Sequence, residues 1–214
     1  MKIKWYGHSA FRLTTTEGVR IIIDPYEPGG LGGVIRYDQI MDPADIVLIS
    51  HDHTDHNYTE GIKGPFRVIR KEGSYDIKGV RIRAMSTLHG AGMGHNLMFV
   101  VEVDGVKVLH LGDIGHTLDQ DTIAHVGKVD VLMIPVDGVY TLTLEEATQM
   151  VKDIKPSLTL PMHFRTEKGG STIAGVDQFI KGKQHVRAIP HSEIEVSRDS
   201  LPSHGEIILL QHEK

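Results

Sequence analysis

The stretch His51 to His56 reads HDHTDH and holds three histidines and two aspartates within six positions. It follows the apolar run Ile46 to Ile49 after a single serine, and that run is typical of a buried strand. Imidazole and carboxylate groups are suitable ligands for Zn²⁺, Mn²⁺ or Fe²⁺. A solvated polar turn is the alternative for this cluster alone, so the choice depends on whether further ligands follow other strands.

The spacing within the cluster favours two metal ions over one. His51 and His53 are two residues apart and can face the same way, whereas Asp55 and His56 form a second pair directly beyond them. Neighbouring residues point in different directions, so one ion cannot easily use all four. In two-metal sites the ions lie about 3.5–4 Å apart, and further ligands are needed to hold them.

Three polar residues at the ends of other predicted strands are the candidates for those ligands. His89 stands in STLHGAG, Asp113 in VLHLGDIGH and His163 in LTLPMHF. The alternatives are a packed histidine for His89, a turn-forming aspartate for Asp113 and a hydrogen-bonded core histidine for His163. Each residue follows a core strand, where loop-borne chemistry usually lies, so we expect all three to join the cluster.

The elements that must position these residues are mostly strands. Apolar and alternating runs predict strands at 2–6, 10–13, 19–23, 44–50, 66–69, 80–85, 97–103, 106–111, 129–136, 157–162, 186–189, 193–197 and 206–211. Helices are predicted at 118–126, 143–154 and 176–180, the second opening with a capping box, and 25–37 is predicted as a surface loop. This pattern favours two sheets packed on each other and flanked by helices.

Composition narrows the class of protein. The chain has 214 residues, enough for one domain or two fused halves, with 40% hydrophobic and 24% charged residues. It has 14 histidines and no cysteine, which excludes disulfides and cysteine-based zinc ribbons. The net charge of −5 predicts neither nucleic-acid nor membrane binding. The absence of a secretory signal predicts a cytoplasmic protein. The expected substrate is a small molecule, and assembly into a homo-oligomer stays open.

The order of these motifs resembles the metallo-β-lactamase-fold hydrolases. HDHTDH, a strand-end histidine, GD and PMH follow one another, and the resemblance extends to GHS at 7–9 and DP at 24–25. It is strongest to small stand-alone members described as metal-dependent hydrolases, akin to the L-ascorbate-6-phosphate lactonases. It implies an α/β (α+β) fold, a four-layer αββα sandwich formed by one domain over 1–214, with two pseudo-halves of about 1–105 and 106–214.

The resemblance also implies two divalent ions, Zn²⁺ first and Mn²⁺ or Fe²⁺ as alternatives. The ligands are His51, His53 and His89 for one ion, Asp55, His56 and His163 for the other, and Asp113 as a bridge between both. The ions lower the pKa of a bound water from 15.7 toward about 7. Asp55 is then the catalytic residue that orients the resulting hydroxide and passes a proton to the leaving group.

Six further residues are candidates for contacts with the ligands or the substrate: His8, Asp24, Asn96, His116, Tyr140 and Arg165. Asp24 ends the third strand and can hydrogen-bond a ligand histidine. Asn96 is a candidate for the cleft mouth, and Arg165 for binding a phosphate or carboxylate. Ordinary explanations stay open for each, including packing of Tyr140 against the sheet and a solvated loop for Arg165.

The predicted function is metal-dependent hydrolysis of a small ester, lactone or phosphoester. One alternative is a phosphodiesterase or nuclease of the same fold. The nuclease members of the family generally add substrate-binding segments, for which this chain has no room, and no basic stretch is present. The other alternative is a non-catalytic metal-binding or sensing protein.

Overall fold

The computed structural model describes residues 1–213, and strands dominate it. Within those residues the strands are β1 (Lys2–Gly7), β2 (Ala10–Thr14), β3 (Arg20–Ile23), β4 (Ile46–Leu48), β5 (Arg67–Ile69), β6 (Gly73–Ile77), β7 (Val80–Leu88), β8 (His95–Val103), β9 (Val106–His110), β10 (Val131–Pro135), β11 (Leu158–Met162), β12 (Val186–Ile189), β13 (Glu193–Glu195) and β14 (Glu206–Leu210). The helices are α1 (Gly30–Gly33), α2 (Gln120–Val126), α3 (Leu144–Ile154) and α4 (Val176–Ile180). None of the helices in residues 1–213 is long and apolar enough to cross a membrane.

The strands form two sheets, which confirms the predicted fold class. The first sheet has the order β13-β1-β2-β3-β4-β5, and the second has the order β12-β14-β11-β10-β9-β8-β7-β6. The position 105/106, expected between the two pseudo-halves, falls in the hairpin turn between β8 and β9. The strand Gly73–Ile77, absent from the prediction, pairs with β7 at the edge of the second sheet.

Strand direction brings the ends of seven strands to one edge of the molecule. In the first sheet β3 and β4 are parallel, and β1 is two antiparallel steps from β3, so it runs the same way. In the second sheet β9, β10 and β11 are parallel, and β7 is two antiparallel steps from β9. The loops that follow all seven strands therefore start at the carboxyl edges of the two sheets, where ligands bind in open sheets.

The inner faces of both sheets share one hydrophobic core. Ile21, Ile23 and Leu48 of the first sheet belong to the same buried cluster as Val108 and Val131 of the second, which are partners in the register of β9 and β10. Alternate residues of a strand face opposite sides of the sheet, so the intervening residues of the first sheet need a separate cover.

That cover is the segment 25–37, which the sequence predicted as a surface loop. The prediction was wrong for three residues, because Tyr26, Ile35 and Tyr37 are buried against Ile22 and Val47 on the outer face of the first sheet. The Gly and Pro content prevents long regular structure, and only the turn α1 forms. The apolar side chains between the glycines nevertheless exclude water from a sheet face.

The helix α3 covers the outer face of the second sheet. Its buried residues Ala147, Met150 and Ile154 recur at helical spacing, Leu144 and Val151 pack partly buried beside them, and the remaining residues are polar. The predicted capping box is present, since Thr143 Oγ1 accepts from the Glu146 N–H and Glu146 accepts from the Thr143 N–H.

Candidate metal centre

The carboxylate of Asp113 lies at the centre of the predicted ligands. It follows β9 and is buried. Its Oδ2 atom faces four imidazoles, at 3.1 Å from His163 Nε2, 3.2 Å from His56 Nε2, 3.4 Å from His89 Nε2 and 3.9 Å from His51 Nε2. A ligand that bridges two ions must place an oxygen near the ring nitrogens of both groups of histidines, and Asp113 Oδ2 has this position.

The remaining ligand atoms fall into groups on either side of this carboxylate. One group, whose atoms lie within 4.8 Å of one another, consists of His51, His53 and His89. A second group consists of His8, Asp55, His56 and His163, and a third joins His51, His56 and Asp113. The structure thus brings together all seven residues that the resemblance implied, in the same division, and adds His8.

The polar atoms that face this centre fit a cation. Five of them are buried without a hydrogen-bond partner: His51 Nε2, His56 Nε2, His89 Nε2, Asp55 Oδ1 and Asp113 Oδ1. Each buried polar atom left unpaired costs about 1–3 kcal/mol. Histidine nitrogens and carboxylate oxygens are ligands of divalent transition ions, so a bound ion would remove this cost.

The opposite ring nitrogens fix the tautomers of the ligands. His56 Nδ1 donates to Asp24 Oδ2 at 2.9 Å, and His89 Nδ1 donates to Gly90 O at 2.8 Å. His51 Nδ1 lies 2.8 Å from Ser50 Oγ, whose own hydroxyl donates to Asp24 Oδ2 at 2.6 Å. Because each proton is held at Nδ1, the Nε2 lone pair is directed at the centre.

His163 lies against the carboxylate of Asp137, a residue that the sequence did not reveal as part of the site. Its Nδ1 lies 2.7 Å from Asp137 Oδ2, and Asp137 Oδ1 accepts the N–H groups of Val139 and Tyr140. Asp137 follows β10 as Asp113 follows β9. The position of Asp137 after β10, whose residues are all buried, was the signal that could have identified it.

The charges of the centre are strongly coupled. Burial raises the pKa of Asp113, but His163 and His56 lower it by more, so that it lies well below its usual range. Burial lowers the pKa of His163, yet Asp113 and Asp137 raise it to about 10. Asp55 is likewise held ionised, because His56 and His8 lower its pKa against the effect of burial. The carboxylates therefore attract positive charge to the site.

Three residues of the centre have left-handed backbone conformations. The φ values are 51° at His8, 47° at Asp24 and 52° at His163. Such values are uncommon outside glycine and cost energy that the surrounding contacts must supply. His8 O accepts the N–H of His163 at 3.1 Å and Trp5 Nε1–H at 3.0 Å, which holds these two turns together.

Asn96 positions Asp113 and does not lie at the cleft mouth. Its side chain is fully buried, with Oδ1 accepting the Asp113 N–H at 2.9 Å and Nδ2 donating to Thr87 Oγ1 and Leu111 O. A side chain at Gly112 would place its Cβ 2.3 Å from Asn96 Oδ1, and Gly112 has a φ of 56°. The GD motif therefore needs its glycine.

The other second-rank candidates divide into two kinds. His8 lines the cleft above the cluster, and its Nε2 lies 3.0 Å from Asp55 Oδ2. Tyr140 also lines the cleft, and its 40% exposure disfavours the alternative that it packs against the sheet. His116 is exposed and accepts the Leu88 N–H, and the exposed Arg165 is not part of the cleft wall.

Two sheets that carry a buried His/Asp cluster at a shared edge are the architecture of the metallo-β-lactamase fold. Comparison with known proteins agrees. The chain belongs to the β-lactamase superfamily, since the family model described as "Beta-lactamase superfamily domain" matches residues 2–163. It is a metal-dependent hydrolase of this superfamily, as its relatives indicate.

Those relatives are similar over most of their length. A UPF0173 metal-dependent hydrolase of Thermoplasma acidophilum is 26% identical over 193 residues, which cover 78% of this chain and 84% of the relative. A UPF0173 protein of Pyrococcus abyssi is 31% identical over 194 residues, covering 80% and 87%. A crystal structure from Thermotoga maritima, proposed to be a zinc-dependent hydrolase of the metallo-β-lactamase superfamily, has a TM-score of 0.83 at 32% identity, covering 99% of both chains.

Asp24→Asn tests the hydrogen bonds behind the ligands. Asp24 accepts from the Ser50 N–H, the Ser50 hydroxyl and His56 Nδ1, and an amide can accept at only one of its two positions. We expect metal affinity, measured by competition with a chelating dye, to fall roughly 10–100-fold. Asp104→Asn is the matched control, because Asp104 accepts one backbone N–H and one hydroxyl from Thr16 but contacts no ligand. Equal affinities in the two variants would contradict the assigned role.

Proposed function

We propose that the cluster binds two divalent ions, Zn²⁺ before Mn²⁺ or Fe²⁺, and that the protein hydrolyses a small ester, lactone or phosphoester. The observation that supports two ions is the position of Asp113 Oδ2 between the His51, His53 and His89 group and the Asp55, His56 and His163 group. A single ion could not use ligand atoms on both sides of a bridging carboxylate equally well.

The ions, when bound, would supply a water of lowered pKa and hence a nucleophile at neutral pH. Asp55 is the residue placed to handle its proton. Asp55 Oδ1 is unpartnered, and its Oδ2 is fixed by His8 Nε2 at 3.0 Å. The carboxylate lines the cleft, so we propose that it accepts a proton from the attacking water and returns it to the leaving group.

The Nδ1 partners keep the rest of the site rigid during this exchange. Asp24 and Asp137 hold the rings of His56 and His163, and Asn96 holds the backbone of Asp113. A non-catalytic metal-binding protein would not need a carboxylate of its metal centre to line a cleft large enough for a small molecule. The position of Asp55 in the lining of the cleft therefore favours an enzyme.

Elemental analysis of the purified protein, paired with a hydrolase screen, tests this proposal. We expect close to two ions per chain, loss of activity after dialysis against a chelator, and recovery when Zn²⁺ or Mn²⁺ is added. The screen covers esters, lactones, thioesters and phosphodiesters. If the protein binds two ions but hydrolyses no substrate of these classes, the proposed function is refuted and a metal-binding or sensing protein is the conclusion.

A further inference from the structure

The cleft that leads to the cluster has apolar walls. It has a volume of about 610 Å³, within the range of small-molecule sites. Its floor is formed by the predicted ligands and His8, whereas Leu31, Ile35, Met93, Tyr140 and Ile173 form much of the wall. These side chains come from four separate loops, which follow β3, β7, β10 and β11.

Three of the wall residues are unusually exposed for their type. Leu31 is 51% exposed, Met93 48% and Tyr140 40%. Single exposed apolar residues are ordinary on a protein surface, but several that converge on one cleft mark a binding site. Behind them Ile35 and Ile173 are buried, so the apolar surface continues into the wall.

Away from the metal centre, the described residues offer no lysine or arginine in the cleft lining as a counter-ion for a substrate. By contrast, Asp52, Asp55 and Asp113 line the cleft. Two arginines of the surrounding loops have other partners: Arg36 donates to Glu167 O, and Arg70 pairs with Asp52. Lys168 lies 3.5 Å from Asp38. A charged group on the non-reacting part of a substrate would lose water here without gaining a counter-ion.

From this cleft we infer the substrate class of the hydrolase: a neutral carboxylic ester or lactone whose acyl part is an apolar chain that packs against Leu31, Met93 and Ile173. This inference rests on the proposed function and narrows it to neutral carboxylic esters and lactones. In the reaction the oxygen of water joins the acyl carbon and the acyl C–O bond breaks. One proton of the water passes through Asp55 to the alkoxide, which leaves as an alcohol, and the product acid loses its own proton to solvent.

A series of p-nitrophenyl esters measures the preference of the metal-loaded protein. From acetate through butyrate to hexanoate, kcat/KM should rise about fourfold per methylene, because each added methylene is removed from water. The glutarate hemiester, which carries a carboxylate at the end of the chain, should react at least about tenfold more slowly than butyrate. A flat length profile, or faster hydrolysis of the hemiester or of bis(p-nitrophenyl) phosphate, overturns the inference.

Leu31→Lys locates the effect in the cleft. The substitution should flatten the length profile and bring the hemiester to within about threefold of butyrate, since the new ammonium group offers a counter-ion. Met41→Lys is the matched control: Met41 is 55% exposed, comparable with Leu31, and lies outside the cleft wall. It should keep the parent profile. Identical profiles in the two variants would contradict the assigned wall.

Binding of N-hexylacetamide separates this inference from the proposed function. Saturation-transfer NMR should show binding of this neutral apolar probe to the metal-loaded protein, at least about fivefold weaker in Leu31→Lys and unchanged in Met41→Lys. Binding of the probe without hydrolysis of any ester, lactone or phosphoester would refute the proposed function and retain the apolar cleft. Hydrolysis of esters with a flat length profile and no probe binding would retain the proposed function and refute the apolar cleft.

Discussion

Asp113→Asn is expected to lower kcat/KM by on the order of 10³-fold or more and to reduce the metal content below one ion per chain. The substitution keeps the size of the side chain, and the Asn96 Oδ1 contact to the backbone N–H of residue 113 is retained. It removes the charge that faces four imidazoles and replaces one carboxylate oxygen by an N–H donor. Elemental analysis and steady-state kinetics measure both effects.

A matched substitution of another aspartate controls for a general loss of folding. Asp119→Asn replaces the N-cap of α2, where asparagine is as good a cap as aspartate, so activity should stay at the parent value. Circular dichroism should show a folded chain for both variants. An Asp113→Asn protein that retains two ions and full activity would remove Asp113 from the bridging position.

Asp55→Asn is expected to lower kcat by roughly 10²–10⁴-fold, which is the usual contribution of a general acid–base group. The asparagine can still contact His8, but it cannot take up a proton from water. Asp55 belongs to the group with His56 and His163 and not to the group of His51, His53 and His89. We therefore expect the ion held by His51, His53 and His89 to remain. The metal content should therefore fall from two ions toward one.

The loss of an ion and the loss of the base can be separated with a second variant. Asp55→Glu keeps a carboxylate near His8, and should restore the second ion and part of the rate when Zn²⁺ is in excess. An unchanged rate in Asp55→Asn would refute the mechanism. A reduced rate that Asp55→Glu does not improve would leave Asp55 only as a ligand.

The sequence was sufficient to predict the two sheets and the central part of the site because the same physical rule determines both. Apolar runs predict strands, and a polar residue directly after such a run has few places to lie except at a sheet edge. His89, Asp113 and His163 were found in this way, and the structure places all three around one point.

What could not be predicted depends on contacts between distant segments. Ser50 and Asp137 follow apolar strands as the ligands do, but their role is set by a ring nitrogen of a residue whose position the sequence does not give. Asn96 lies in β8 and was predicted at the cleft mouth, and only the approach of the residues after β9 brings it against Gly112. The cover formed by Tyr26 and Tyr37 was missed because glycine and proline dominate local propensity there.

Each group of ligands beside Asp113 combines residues from both sheets. His51, His53, Asp55 and His56 follow a strand of the first sheet, whereas His89, Asp113 and His163 follow strands of the second. An ion bound between them is a cross-link between the two halves of the sandwich, and any ligand that binds only the folded chain stabilises it by mass action, by about 4 kcal/mol at a thousand times its Kd. Metal supply thus sets not only how fast each molecule turns over substrate but also how long it survives against unfolding and proteolysis.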